Sequence, residues 1–383
     1  MNNDAVITYF PVGNGDTLQV HLSDKTDIIF DCNITQASED EEDDNRYDVH
    51  SHLLKELKKD ANKASHVDAF ILTHPDQDHC RGFSEVFYTG DPAKHSSEDK
   101  KQGRILIDEL WFSPRIFSKA EELCNDALAF RNEARRRMAL YKAKSATRHL
   151  PGNRLRIIGT SKSEDLDGLD EIISHPGTFL NLINGSIKKD FSFFIHAPFK
   201  EDTDSTYKER NLTSVVLQAR FDTPNQKRAV LAFFGGDAGC EVWENILDRS
   251  VDDTLEWDLF LAPHHCSWSY YSREAYKDNK IPSKKCIQLL NKKRQGAIVV
   301  ASCKPIRDDD DNPPHYAAYQ EYVKVVGKEK FFATMEYPNE DQPLPLEFRV
   351  TDNGPQKTEE TSTSVIASSA AIRSTVGAPK TYG

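Results

Sequence analysis

No apolar run in this 383-residue chain approaches the ~20 residues that a bilayer crossing takes, so a helical membrane protein is excluded. The opening Met1-Asn2-Asn3-Asp4 lacks the basic n-region of a secretory signal and passes straight into a strand-like segment. The seven cysteines are odd in number, scattered and without a CxxC pair, which excludes a disulfide-framed secreted domain. An excess of base is missing too: 49 Lys and Arg face 61 Asp and Glu, a net charge of −12. That balance excludes a general nucleic-acid coat protein and leaves room for an enzyme with a local basic groove. A soluble, cytoplasmic protein with no membrane partner is expected. The length fits two to three domain equivalents or one large α/β domain with insertions.

What is present is concentrated in Thr73-His74-Pro75-Asp76-Gln77-Asp78-His79-Cys80-Arg81-Gly82. Four potential metal ligands, His74, Asp76, Asp78 and His79, fall within six residues directly after the apolar run Val67 to Leu72. The run reads as a short strand passing into a loop, which holds ligands rigidly and leaves one side open to substrate. Imidazole nitrogens with carboxylate oxygens suit a borderline divalent ion such as zinc, manganese or iron.

Around that loop the elements alternate. Ala5–Phe10 predicts a strand, followed by the turn Val12-Gly13-Asn14-Gly15-Asp16 and strands over Thr17–Leu22 and Asp27–Asp31. The acidic run Glu39 to Asp44 reads as a solvated loop, and His50–Lys59 spaces Leu53, Leu54 and Leu57 as one helix face. A strand over Ile105–Phe112 comes next. From Ile116 to Lys144, Ile116, Ala120, Leu123, Ala127, Ala134, Met138 and Tyr141 recur at helical spacing, predicting a long helix or a helical pair within an insertion over 115–150. Its later part carries Arg131, Arg135, Arg136, Arg137, Lys142, Lys144 and Arg148 against the single acid Glu133. The stripe is either a phosphate-holding surface or an ordinary solvated helix face.

The second half rebuilds the first. Strands are expected over Phe191–Ala197, Thr213–Phe221 and Arg228–Gly235, the last ending in Gly235-Gly236-Asp237-Ala238-Gly239. A strand over Asp258–Ala262 ends in Pro263-His264-His265-Cys266-Ser267. Another over Gly296–Ser302 leads to Asn312-Pro313-Pro314-His315 and a helix over Tyr316–Val326, and strands over Phe331–Thr334 and Leu346–Val350 close the sheet. Each polar cluster sits at a strand end, where a two-sheet sandwich brings them to one edge.

The loops THxDxDHxxG, GDAG and PHH, in this order, resemble the metallo-β-lactamase fold. More narrowly, the chain resembles the soluble hydrolase domain of the DNA-uptake channel family (ComEC-like). That family's F-x-VG-x-GD stands here as Phe10-Pro11-Val12-Gly13-Asn14-Gly15-Asp16, and its N-x-x-S-x-VL strand as Asn211-Leu212-Thr213-Ser214-Val215-Val216-Leu217. The closing loop is echoed by Asn312-Pro313-Pro314-His315 and the final threonine strand by Thr334. The match runs from Ala5 to Val350 and implies one domain over 1–352, an α/β fold with a four-layer αββα sandwich. One fold hosts many chemistries, so the substrate follows less firmly.

The resemblance implies two divalent ions, zinc or manganese. His74 and Asp76 would serve the first position, Asp78 and His79 the second, with Asp237 bridging. Of His264 and His265, His264 lies nearer the strand end and is expected to complete the second position, leaving the other to orient a ligand. Asp76 replaces the histidine of most of the superfamily, as is usual in this branch, and makes the first site oxygen-rich. The histidine that commonly completes that site has no evident match, and His196 is read as structural. A metal-activated bridging water would attack phosphorus or carbonyl carbon, with Asp76 and Asp78 among the catalytic groups. His315 either donates a proton to the leaving oxygen or is an N-terminal helix residue satisfied by backbone. Asn14, Ser267, Ser302, Arg135 and Arg136 are candidate substrate contacts.

Cys266 stands where the family has glycine, and Cys80 follows directly on His79; each is either near a metal or a small buried hydrophobe. Trp268, Tyr270 and Tyr271 either stack on a base or pack beneath the loop. His21, His50, His52, His66, His95, His149 and His175 belong to no constellation and read as surface or packing residues. The segment 353–383, rich in Ser, Thr and Ala, is expected to be disordered. Three readings compete. One is a phosphodiesterase or nuclease acting on DNA, RNA or a small phosphodiester. Another is a hydrolase of small esters, thioesters or amides with the helical insertion as lid. The third is a protein with structural metals that binds a partner through its tail or long helix.

Overall fold

The computed structural model describes residues 4–35, 47–118, 123–161, 166–200 and 210–358. The acidic run Glu39 to Asp44 and the segment 359–383 lie outside them. Two large sheets dominate. The first runs, side by side, through β1 (Val6–Tyr9), β2 (Leu18–His21), β3 (Asp27–Phe30), β4 (His66–Ile71), β5 (Leu106–Phe112), β6 (Arg154–Ile158) and β7 (Ile173–Ser174). The second runs through β8 (Phe179–Leu180), β9 (Phe191–Ala197), β10 (Val216–Phe221), β11 (Val230–Phe234), β12 (Trp257–Leu261), β13 (Lys293–Ala301) and β14 (Phe331–Ala333). The chain then returns to the first sheet, where β15 (Leu346–Thr351) pairs with β1 and β16 (Gly354–Lys357) with β15.

The sheets share a plan. β1, β2 and β3 are antiparallel and β3 through β7 parallel. In the second sheet β8 to β11 are antiparallel and β11 through β14 parallel. The parallel strands are the near-continuous apolar runs, Ala69-Phe70-Ile71-Leu72 and Val230 to Phe234 among them, because both their faces are covered. One face of each sheet meets the other sheet: Ile7, Val20, Phe30 and Ile71 join Phe193, Leu217, Phe234 and Leu261 in a single core. The outer face of the first sheet is covered by α1 (Val49–Glu56) and α2 (Asn125–Lys142), that of the second by α3 (Cys240–Arg249), α4 (Lys284–Leu290) and α5 (Tyr316–Val326). The architecture is mixed α/β, with helices outside two facing sheets. Among the described residues no helix is long and apolar enough to cross a membrane.

Three local expectations need correcting. The helix expected from Ile116 starts at Asn125, after a separate 3₁₀ turn over Pro114–Phe117. Its face Ala127, Phe130, Ala134, Met138 and Tyr141 is buried against the first sheet, so α2 is a wall of the core and not a lid. The segment from 353 is ordered as far as 358, because β16 needs only backbone pairing with β15 and no apolar side chains of its own.

Candidate metal centre

The loops that leave the carboxyl ends of β3, β4, β11 and β12 converge. Asp31 directly follows β3, and His74 to His79 follow β4, where Gln77–Cys80 makes a single helical turn. Asp237 follows β11, and His264 and His265 follow β12. Gly236 permits the approach: its φ is +48°, and a Cβ there would lie 2.5 Å from Thr73 Oγ1. The chain around the histidine pair is bent further, since His264, His265 and Cys266 all have left-handed φ of 50°, 53° and 67°. Such backbone costs about 1–2 kcal/mol per non-glycine residue and persists only where its surroundings hold it.

Four imidazoles surround one carboxylate. Asp237 Oδ2 lies 3.4 Å from His74 Nε2 and 3.5 Å from His264 Nε2. Its Oδ1 lies 3.0 Å from His79 Nε2 and 3.5 Å from His265 Nε2. Asp78 Oδ2 comes within 3.3 Å of His265 Nε2, and Asp76 Oδ2 within 3.8 Å of His74 Nε2. His79 Nε2 and His265 Nε2 face each other at 3.3 Å. Ligand-type atoms of Asp78, His79, Asp237 and His265 all lie within 4.8 Å of one another, as do those of Asp16, Asp31 and His79.

Every ring is held from behind by its other nitrogen. Asp31 Oδ2 sits 2.8 Å from His79 Nδ1 and also accepts from Thr73 Oγ1 at 2.6 Å. The same Thr73 hydroxyl lies 3.1 Å from His74 Nδ1, so one buried aspartate anchors two rings. His264 Nδ1 lies 3.0 Å from Ser269 Oγ, and His265 Nδ1 3.0 Å from the Ser302 carbonyl. His265 Nδ1 also accepts from Gly15 N–H at 3.2 Å, and with the Nδ1 atoms engaged in this way each ring turns its Nε2 toward Asp237. Two of the facing atoms, His74 Nε2 and Asp237 Oδ1, are buried without a hydrogen bond. Burying such groups bare is costly, and nitrogen and oxygen donors converging on a common point are what a divalent cation satisfies. The residues therefore fit a metal.

The electrostatics agree. Burial works against charge on His79, yet the Asp237 and Asp31 carboxylates raise its pKa well above the usual imidazole value. Burial also opposes ionisation of Asp237, but the four imidazoles hold it well below the carboxylate range. Burial pushes Asp16 up to about 6, despite His265 and His79 beside it.

Neither a family profile nor a curated protein sequence matches this chain. Among solved structures it is similar to a protein named "putative metal-dependent hydrolase" from Parabacteroides distasonis ATCC 8503. The identity is 9%, the TM-score 0.34, and the alignment covers 85% of this chain and 91% of that one. A likeness that distant carries no argument about activity.

The remaining sequence candidates separate clearly. His265, not His264, stands beside Asp78 and His79, because the left-handed run turns the second ring inward; His264 faces the His74 side of Asp237. Asp31, which no sequence signal singled out, and Thr73, the first residue of the motif, hold two of the rings. Asn14 bridges backbone, donating to the Pro313 carbonyl and accepting from Lys304 N–H. Ser302 Oγ donates to the Gly15 carbonyl and Ser267 Oγ to Asn312 Oδ1. His315 is the N-cap of α5, its Nδ1 accepting from Ala317 N–H at 3.1 Å, with its ring against Tyr276 and Trp268. His196 packs on the outer face of the second sheet, between Ser250 Oγ and the Thr254 carbonyl, and burial lowers its pKa to about 3. Arg136 is spent on Glu133, Asn153 and the Gly152 carbonyl, while buried Arg137 meets Glu133 and three backbone carbonyls. Arg135 is exposed, its guanidinium 5.3 Å from the Phe117 ring centroid. The basic stripe is thus partly internal glue. Trp268, Tyr270 and Tyr271 are buried and pack beneath the loop.

Proposed function

We propose that this protein is a metal-dependent hydrolase of the metallo-β-lactamase type, acting on phosphodiesters with two divalent ions. The observation that carries the reading is the convergence of four back-anchored imidazoles on the two oxygens of Asp237. His74, His264 and Asp76 would hold one ion and Asp78, His79 and His265 the other, with Asp237 shared. His264 thereby fills the gap that the sequence left in the first position. The carboxylates at Asp76 and Asp78 make the set oxygen-rich, which keeps manganese level with zinc.

When bound, such ions polarise an ester oxygen and supply a nucleophilic water near neutral pH. The chain's own residues do the rest. Asp31, Thr73, Ser269 and the Ser302 carbonyl aim the rings, so little reorganisation is left for the reaction. Because His315 Nδ1 accepts the helix cap, any proton it delivers to a leaving group leaves from Nε2. The internal use of Arg136 and Arg137 removes much of the support for a nucleic-acid grip along α2, so a small phosphodiester ranks level with a DNA or RNA strand.

The test is metal analysis of the purified protein together with hydrolysis of bis-p-nitrophenyl phosphate and labelled single-stranded DNA. Zinc and manganese are each supplied, and an Asp78→Ala/His79→Ala variant serves as control. Metal-dependent cleavage that disappears in the variant supports the reading. Bound metal with cleavage only of carboxylic esters or amides overturns the substrate class, and a protein that retains no metal overturns the whole.

A further inference from the structure

Seven cysteines with no CxxC motif look inert in sequence, yet the fold brings two of them together behind the metal-type loop. Cys80 Sγ and Cys124 Sγ are 3.5 Å apart. Cys80 is buried and immediately follows His79, while Cys124 is partly exposed as the N-cap of α2. The Cys80 thiol donates to the Asp76 carbonyl at 3.1 Å, which ties the helical turn back onto its own loop. Cys124 Sγ accepts from Ala127 N–H at the start of an 18-residue helix, a position that favours thiolate.

We propose that Cys80 and Cys124 form a reversible disulfide with hydrogen peroxide or a related hydroperoxide, and that closing it loosens the His74–His79 loop. The accessible Cys124 thiolate attacks peroxide oxygen; the O–O bond breaks, hydroxide leaves and a sulfenic acid forms. Cys80 sulfur then attacks that sulfur, the S–S bond forms, the S–O bond breaks and water leaves with the Cys80 proton. The two thiols lose two electrons and the peroxide gains them. The sulfurs must close from 3.5 Å to the about 2 Å of a disulfide. That draws Cys80 toward α2 and removes its hydrogen bond to the carbonyl of Asp76, a residue assigned above as a ligand. The disulfide stands on the thiol geometry alone; the effect on metal rests on the proposed function.

The experiment uses the reduced full chain, treated with stoichiometric hydrogen peroxide and then with reduced thioredoxin. Free thiols should fall from the seven of the sequence to five, with a Cys80–Cys124 cross-link in the peptide map and full recovery on reduction. Cys124→Ser keeps a good helix cap and should keep its remaining thiols. A cross-link confined to Cys32, Cys240 or Cys286, or the same thiol loss in Cys124→Ser, overturns the site. Zinc release, followed with a chromophoric chelator, should show affinity about 10-fold lower in the oxidised wild type and unchanged in treated Cys124→Ser. A disulfide that forms without zinc release overturns the coupling. Reduced protein that binds no zinc or manganese sinks the proposed function instead, and the thiol count still decides the disulfide.

Discussion

Ionisable groups are buried at both ends of the first sheet and are treated in opposite ways. At the start of the strands, charges meet their complements. Asp27 bonds Gln19 and His21, and Asp68 accepts from Lys58, Asn184 and Asp27 N–H. Asp108 takes His66 and Asn184, and Glu109 the backbone N–H of Asn184. At the carboxyl ends, where loops of both sheets meet, four imidazoles turn their Nε2 atoms toward one carboxylate, and His74 Nε2 and Asp237 Oδ1 are left without a hydrogen bond. Asp27 Oδ2 and Arg156 Nε are also left without a hydrogen bond, but among the described residues no metal-type group of side chains includes either. Convergence, more than the mere presence of an unbonded atom, separates a site from a structural ion network.

Opposite responses to mutation would sharpen that contrast. The largest effect is expected from Asp237→Asn. Metal content should fall to background and phosphodiester cleavage with it, a loss beyond the about 10–100-fold typical of an outer-shell change, while circular dichroism stays native. Retained metal would break the comparison. At the other end, Asn184→Ala should leave metal content untouched and destabilise the fold by about 1–3 kcal/mol for each buried carboxylate left short of a donor, read by urea unfolding. An intermediate case is Asp31→Asn, which belongs to both classes. It should weaken metal binding by about 10–100-fold, since His79 and Thr73 lose a charged acceptor, and lower the unfolding midpoint as well.

The smallest effect concerns pH. A hydrogen bond to Asp27 raises the pKa of His21 above 6.5 despite burial, and Asp108 does the same for His66. Groups whose pKa is raised on folding contribute fully below the unfolded value, and the contribution is lost as pH rises through the folded value. The melting temperature should therefore drift down as pH rises above the ordinary imidazole value of 6.5 and through the raised folded values, and the drift should flatten in His21→Ala/His66→Ala. An equal drift in the double variant would assign it elsewhere.

Much of this is legible without coordinates, and the reasons for the rest are physical. The strand-end loops at Thr73–Gly82, Gly235–Gly239 and Pro263–Ser267 announce themselves because apolar runs stop abruptly at polar clusters. Asp31 does not, because a single carboxylate after a strand looks like any turn, and its three donors come from residues 42 and 48 positions away. The choice between His264 and His265 depends on three left-handed residues, which alternation along a strand cannot foresee. The arginine stripe misleads for a different reason. Glu133 with Arg136 and Arg137 has the i, i+3 and i, i+4 spacing of an internal cluster, and counting charge hides that pairing. His21 and His66 look unattached because their partners lie on other strands or past a turn.

The pairing of β1 with β15, Val6 opposite Arg349, has a consequence for synthesis on the ribosome. The first sheet cannot be finished until nearly the whole described chain has emerged, and Leu346, Phe348 and Val350 of that late strand also fill the core between the sheets. Until then β1 is a bare edge beside an incomplete apolar layer, the situation that invites pairing with a neighbouring nascent chain. A ribosome that stops short of Leu346 would release a chain able to spell every residue around Asp237 yet unable to close the sandwich that holds them.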